Sequence, residues 1–308
     1  MLPKKQLMIM VTIGLLLVSA AYVAQENISS KNEIATNEIE EQDRIQEEGT
    51  TTTPIGLEVG VELGTDGTVL EVDTTGVAAD GPALITFKTD GNSTYVIAIP
   101  SMGLPLCAAS KNVADVYDIM LGDKISVRGK TNEVGQIVPC ESETHAFTVK
   151  RIYSDVISGL TFTYRISPDG YQLQTDGFQF SEDSSFISGV LLTNKKESAE
   201  LPLNDVPRES SPAIKFRVYT NPEKLSPMEW TKKNGTESNY ELAAAEPVEI
   251  TVATANAVGY TTDGSYLTDT YVVEYDDHIL VITGEYIDTE SAIYTDLEEL
   301  VKTISFAR

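Results

Sequence analysis

The sequence predicts a mainly β chain with an α+β second half, preceded by a single transmembrane helix. Three observations predict this order. An uncharged apolar run occupies Leu7–Ala24. From about Leu57 onward, short runs alternate apolar and polar residues between Gly, Asp and Asn turns. Two stretches in the last third switch to helical spacing, around Trp230 and from Ile293 to Ile304.

As a helix the leading run is about 27 Å long, enough to cross a bilayer. Lys4 and Lys5 precede it and orient it, so the rest of the chain is expected outside the cytoplasm. Small residues at Val18-Ser19-Ala20-Ala21 suit signal peptidase, so residues 1–24 are either a retained anchor or a cleaved signal peptide. The expected location is the cell membrane, single-pass with extracytoplasmic domains, or secretion if the segment is cleaved. Residues 25–56 are polar, acidic and free of aromatics, and they read as a disordered tether.

The formal charge is -25. Residues 1–24 carry about +2 and residues 25–56 about -6, which leaves about -21 on 57–308. Such a body repels nucleic-acid phosphates and anionic headgroups, so nucleic acid is excluded as a partner.

Residues 57–152 read as a barrel. "GTVLEVD" (67–73), "ALITFKT" (83–89) and "TYVIAIP" (94–100) are three strands. "AASKNVADVYDIMLG" follows, with Val113, Val116, Ile119 and Met120 on one helical face. "GDKISVRGK" (122–130) and "THAFTVKRI" (144–152) add two strands. Three strands, a helix and two strands is the order of an OB-fold barrel. Nucleic-acid binding, common in such barrels, is disfavoured by 13 acids against 7 bases over 57–152.

Residues 153–308 read as an α+β domain. "GLTFTYRISPDGYQLQ" gives two short strands joined by a turn at Ser167–Gly170. "ISGVLLTN", "AIKFRVYT", "VEITVATANAVGYTTD", "TDTYVVEYD" and "HILVITGEYID" supply the other strands. Ser226, Pro227 and Glu229 form a capping box that starts a helix whose Trp230 belongs in the core. Ile293, Leu297, Leu300, Val301 and Ile304 make the buried stripe of the last helix.

"SGLTFTYRISPDGYQL", "IKFRVYTNPEKLSPMEWTKKN", "GYTTDGSYLTDTYVVEYDDHILVITGEY" and "IYTDLEELVKTISF" together resemble the PsbP-like family. The resemblance covers about 158–308 and implies an α/β/α sandwich around an antiparallel sheet. It also implies a non-enzymatic protein on the far side of a membrane. The family's metal ligands map to no position here, so the resemblance supplies no site residue.

Cys107 and Cys140 are the only cysteines. They admit a disulfide, two buried thiols, or a metal site completed by His145, which is expected half-exposed at a strand start. Export of the chain favours the disulfide, and no Cys-x2-Cys knuckle supports a metal. His278 follows Asp276 and Asp277 at a hairpin turn, and this Asp–His group is the one candidate for hydrolase chemistry. No G-x-S-x-G elbow, H-E-x-x-H, P-loop or EF-hand loop accompanies it. Four Thr-Asp-Gly triplets, starting at Thr65, Thr89, Thr175 and Thr262, read as turns rather than calcium loops. The sequence implies no cofactor. It points to a non-enzymatic binding or scaffolding protein acting on an envelope or membrane protein, with a divalent-cation or small-ligand receptor as the alternative.

Overall fold

The computed structural model describes residues 57–100, 107–175, 183–200 and 212–307. The expected membrane helix and tether lie outside them. Among the described residues no helix is long and apolar enough to cross a membrane.

The first sheet begins with β1 (Glu62–Asp73), β2 (Ala83–Lys88) and β3 (Thr94–Ile99). β4 (Lys124–Thr131), the short β5 (Ile137–Val138) and β6 (Ala146–Ser154) follow. β1 is long enough to serve two partners. Glu62–Thr68 pairs with β4, and Thr68–Asp73 pairs with β2. β2 pairs with β3, β3 meets β5 in parallel at Ile97–Ile137, and β5 returns antiparallel to β4. The five strands therefore close into a barrel in the order β1-β2-β3-β5-β4-β1, which is OB-like. Its interior is the apolar half of each alternation, including Val69, Ile85, Phe87, Ile97, Ile125, Val127 and Phe147.

Two local expectations change here. Thr65-Asp66-Gly67 is not a turn; it lies inside β1, where the strand passes from β4 to β2. A Cβ on Gly67 would sit 2.5 Å from Phe87 Cδ2 and 2.6 Å from the Lys88 carbonyl oxygen, so only glycine lets the strand cross there. Of the other triplets, Thr89–Gly91 does lie at a turn, Thr262 and Asp263 instead end a strand (Ala255–Asp263) with Gly264 opening the turn after it, and Asp176 and Gly177 are outside the described residues. The helix expected before β4 is also absent. Residues Ser110–Asn112 and Val116–Asp118 form two short 3-10 turns instead. Val113 between them is extended and bridges Phe147, and Ala114 N–H donates to the Phe147 carbonyl (2.8 Å). Pairing with the barrel wall displaces the helical ladder. Val113, Val116 and Ile119 still point inward, but Met120 points out.

β6 carries the sheet beyond the barrel. Its first half lies along β4, and its second half pairs with β7 (Leu160–Ser167). The expected boundary at 152/153 therefore falls inside a continuous strand. The eight-stranded sheet ends at β15 (Ser305–Phe306), which pairs with β7.

The chain then crosses to a second sheet. β7 and β8 (Tyr171–Gln174) are joined by the expected turn, which includes a cis Ser167–Pro168 peptide, yet they belong to different sheets. β8 pairs with β9 (Phe186–Asn194), which leads into α1 (Lys195–Glu200) and β10 (Ala213–Thr220). After α2 (Pro227–Lys233) and α3 (Gly235–Ser238) come β11 (Val248–Val252), β12 (Ala255–Asp263), β13 (Leu267–Tyr275) and β14 (His278–Tyr286). The sheet is antiparallel throughout, with order β11-β12-β13-β14-β10-β9-β8.

Both faces of this sheet are covered, which explains why β14 is apolar at consecutive positions 279–282. On one face Tyr219, Val258, Val272, Ile279 and Val281 pack with Trp230 of α2. The capping box that starts α2 is formed, with Ser226 Oγ accepting from Glu229 N–H and the Glu229 carboxylate accepting from Ser226 N–H. On the other face Phe216, Val273, Leu280 and Ile282 join the barrel core, together with Ile293, Leu297 and Leu300 of α4 (Ala292–Lys302). Phe162 of β7 stacks on Phe216 of β10 with ring centroids 4.2 Å apart, so one apolar core spans both sheets.

Candidate functional site

The segment Val116–Gly122 joins the barrel wall to β4. Val116 and Ile119 are buried and anchor it, while Tyr117, Met120 and Leu121 project outward and are 71%, 58% and 70% exposed. Exposed apolar side chains on a loose loop would collapse inward or sample many states. Here the backbone that carries them is fastened at several points. Asp115 Oδ1 accepts from Tyr117 N–H (3.0 Å), and Asp123 Oδ2 accepts from Met120 N–H (2.8 Å). Gly122, at φ 85°, donates its N–H to the Val69 carbonyl (3.0 Å).

The central fastening is the Asp123–Arg151 pair. Asp123 is only 3% exposed, and its two oxygens accept from Arg151 Nε and Nη2, each at 2.8 Å. The same Nη2 donates to the Asp118 carbonyl (2.9 Å), so the guanidinium ties β6 to both ends of the turn. This bidentate geometry combines directional strength with charge. The Asp123 carboxylate holds the Arg151 pKa above its ordinary value despite partial desolvation. Lys195 of α1 adds a contact to Asp118 (3.0 Å) from the second sheet.

Other apolar side chains are exposed on the same sheet. Thr68, Lys124 and Lys150 share a register row, and two residues along it Leu70 and Ile152 are exposed. Further along β6, the hairpin to β7 turns at Asp155–Gly159 with Val156 and Ile157 exposed at its tip. This tip is also held. The Asp155 carboxylate accepts from Ser158 Oγ (2.6 Å), Ser188 Oγ (2.8 Å) and Ile157 N–H (3.0 Å). Ser188 belongs to β9, so the hairpin is fixed to the second sheet. Burial raises the Asp155 pKa, but these hydrogen bonds outweigh it and the net shift is downward.

The residues singled out from the sequence lie elsewhere. Cys107 and Cys140 are joined as a disulfide with Cα atoms 4.7 Å apart, and Ala108 N–H donates to the Cys140 carbonyl (3.0 Å). With both sulfurs bonded to each other, no thiolate remains to pair with His145 at a metal. His145 itself is 1% exposed rather than half-exposed, because its ring turns into the wall and places Nε2 3.1 Å from Glu62 Oε2. Asp276 and Asp277 form the turn between β13 and β14, with Asp276 at φ 48°. Asp277 faces Lys224 (3.4 Å), whereas His278 lies against the Tyr275 ring with its Nδ1 unbonded. The Asp–His hydrogen bond that would orient a general base is not made. Trp230 is buried against Tyr219, with centroids 5.2 Å apart.

Comparison with protein-family models, curated proteins and solved structures finds no match. The surface therefore rests on its own geometry. Its local signal was the row Tyr117, Met120, Leu121, which helical spacing assigned partly to the core. The Asp123–Arg151 pair, separated by 28 residues, left no signal along the chain.

Proposed function

We propose that this chain is a non-enzymatic binding or scaffolding protein of the extracytoplasmic face. Residues 1–24 attach it to the membrane, and the apolar ridge around Tyr117, Met120 and Leu121 engages a partner envelope protein. The observation that carries this reading is the rigid presentation of those three side chains by the Asp123–Arg151 lock. Tyr and Met are suited to partner contact, one as a broad amphipathic anchor and the other as an adaptable thioether. Pre-ordering the loop removes an entropy cost that a mobile tip pays on binding. A charge of about -21 on 57–308 opposes insertion of the tip among anionic headgroups, which favours a protein partner over lipid. The disulfide supports an oxidising compartment. The resemblance of residues 158–308 to the PsbP-like family supports a non-enzymatic role beside a membrane.

The test compares the full chain with a Tyr117→Ser/Met120→Ser/Leu121→Ser variant in capture from solubilised membranes. These exposed sites lie outside the core, so stability should stay within about 0.5 kcal/mol per position. A partner retained by the parent and weakened at least tenfold by the variant, about 1.4 kcal/mol, supports the reading. Equal capture by both chains overturns it. So does co-flotation with phosphatidylglycerol vesicles that the triple substitution abolishes, since lipid would then be the ligand.

A further inference from the structure

The second sheet exposes an edge at β11, far along the chain from the apolar ridge. β11 and β12 are joined by a two-residue turn, Ala253 (φ 49°) and Thr254 (φ 71°), whose positive angles mark a type I′ hairpin. Val252 and Ala255, which flank the turn, are then a hydrogen-bonded pair, and the pattern alternates outward. Thr251–Asn256 and Glu249–Val258 are non-bonded pairs, so the N–H and C=O groups of Glu249 and Thr251 point away from the sheet. Among the described residues no other backbone pairs with that outer edge.

Two hollows flank this strand, one on each face of the sheet. On the α2 side a groove of about 450 Å³ is lined by Pro227, Met228, Glu249, Thr251 and Val258. On the other side a groove of about 370 Å³ is lined by Ala244, Glu246, Val248, Asp269 and Tyr271. Ile250 borders both. An added strand sends successive side chains to opposite faces, so alternate residues would enter alternate grooves. The charged residues lining them are Glu249 in one and Glu246 and Asp269 in the other, with no Lys, Arg or His in either lining. The Tyr271 pKa is pushed up to about 12, first by burial and then by Asp269 and Glu298, in keeping with negative surroundings.

From this we infer that β11 is a docking edge for an extended, basic peptide segment of a partner protein, held by β-strand addition at Glu249 and Thr251. A second copy of this chain is a poorer occupant, since two bodies of about -21 repel each other. The inference is independent of the Tyr117 ridge, and either can fail alone.

The probe is an acetylated, amidated Lys/Val-alternating heptapeptide added to the full chain at low salt. The readout is backbone amide NMR with hydrogen exchange. Saturable shifts should centre on Val248–Val252, and the Glu249 and Thr251 amides should exchange at least about tenfold more slowly at saturation. A Glu/Val peptide of the same length should not bind. Thr251→Pro removes an N–H that the β11–β12 ladder does not use and should abolish the effect while shifts elsewhere are preserved. If that variant fails to fold, a Lys/Val peptide N-methylated at alternate residues makes the same discrimination and should not bind. Equal binding of the Lys and Glu peptides, of the N-methylated peptide, or by Thr251→Pro overturns the inference. Shifts mapping elsewhere, no binding at all, or self-association through these amides overturn it as well.

Discussion

Replacing Asp123 with Asn tests the lock that holds the apolar loop. The native carboxylate accepts three hydrogen bonds of 2.8 Å, two from Arg151 and one from Met120 N–H. An Asn side chain has nearly the same shape but presents one acceptor oxygen and one NH2, so at least one donor faces another donor. Losing one charge-assisted bond costs about 1.5–3 kcal/mol. Arg151 also loses its counter-ion, and breaking a buried pair by removing one partner costs about 3–5 kcal/mol in all. The guanidinium is 26% exposed and keeps the Asp118 carbonyl, so the lower end applies, about 3 kcal/mol. For a folded body of this size that lowers Tm by about 6–12 °C. Urea unfolding of the parent, Asp123→Asn, Arg151→Met and the double variant measures both the loss and the coupling. The two single changes should be strongly non-additive, and exchange of the Met120 amide should speed up in each. A loss below about 1 kcal/mol, or additivity within about 0.5 kcal/mol, would refute the assignment of this pair as the loop's fastening.

Two further outcomes follow from other parts of the fold. Replacing both Cys107 and Cys140 with Ser releases a closure spanning 33 residues and should cost up to about 3.7 kcal/mol on the chain-entropy account. Matched urea curves with and without reductant check this, and a parent curve unmoved by full reduction would contradict it. For Asp155 the folded pKa lies below the ordinary carboxylate value, so its contribution is complete above about pH 4 and is lost as pH falls through the folded pKa. The stability gap between the parent and Asp155→Asn should be flat from neutral pH to about pH 5 and shrink below about pH 4; a gap that widens on acidification would reverse the sign.

Much of the architecture was legible because it is local. The alternation in Ala83–Lys88, the apolar run Ile279–Ile282 and the Ser226–Glu229 capping box are written within a few residues, and the structure keeps all of them. The spacing of Val113, Val116 and Ile119 equally suits a helix and a pinned, irregular segment, since both bury the same three side chains. Pairing with Phe147 decided between them. The same limit hid the site. Nothing within a few residues of Met120 announces that Arg151 will hold its loop outward, and nothing near Val248 shows which edge of the sheet stays open.

By itself, the sequence determined most of the strands, the two principal helices, the acidic surface and the presence of a single cysteine pair. These depend on side-chain period and composition, which are properties of neighbours along the chain. Only the tertiary structure decided that β1 passes from one partner to another at Gly67–Thr68 and that β7 and β8 part into different sheets. It alone fused barrel and sheet through Phe162 and Phe216, and it alone turned Tyr117, Met120 and Leu121 outward. Each of those outcomes is set by contacts between distant segments, whose energies appear only once the chain has closed the loops that bring them together.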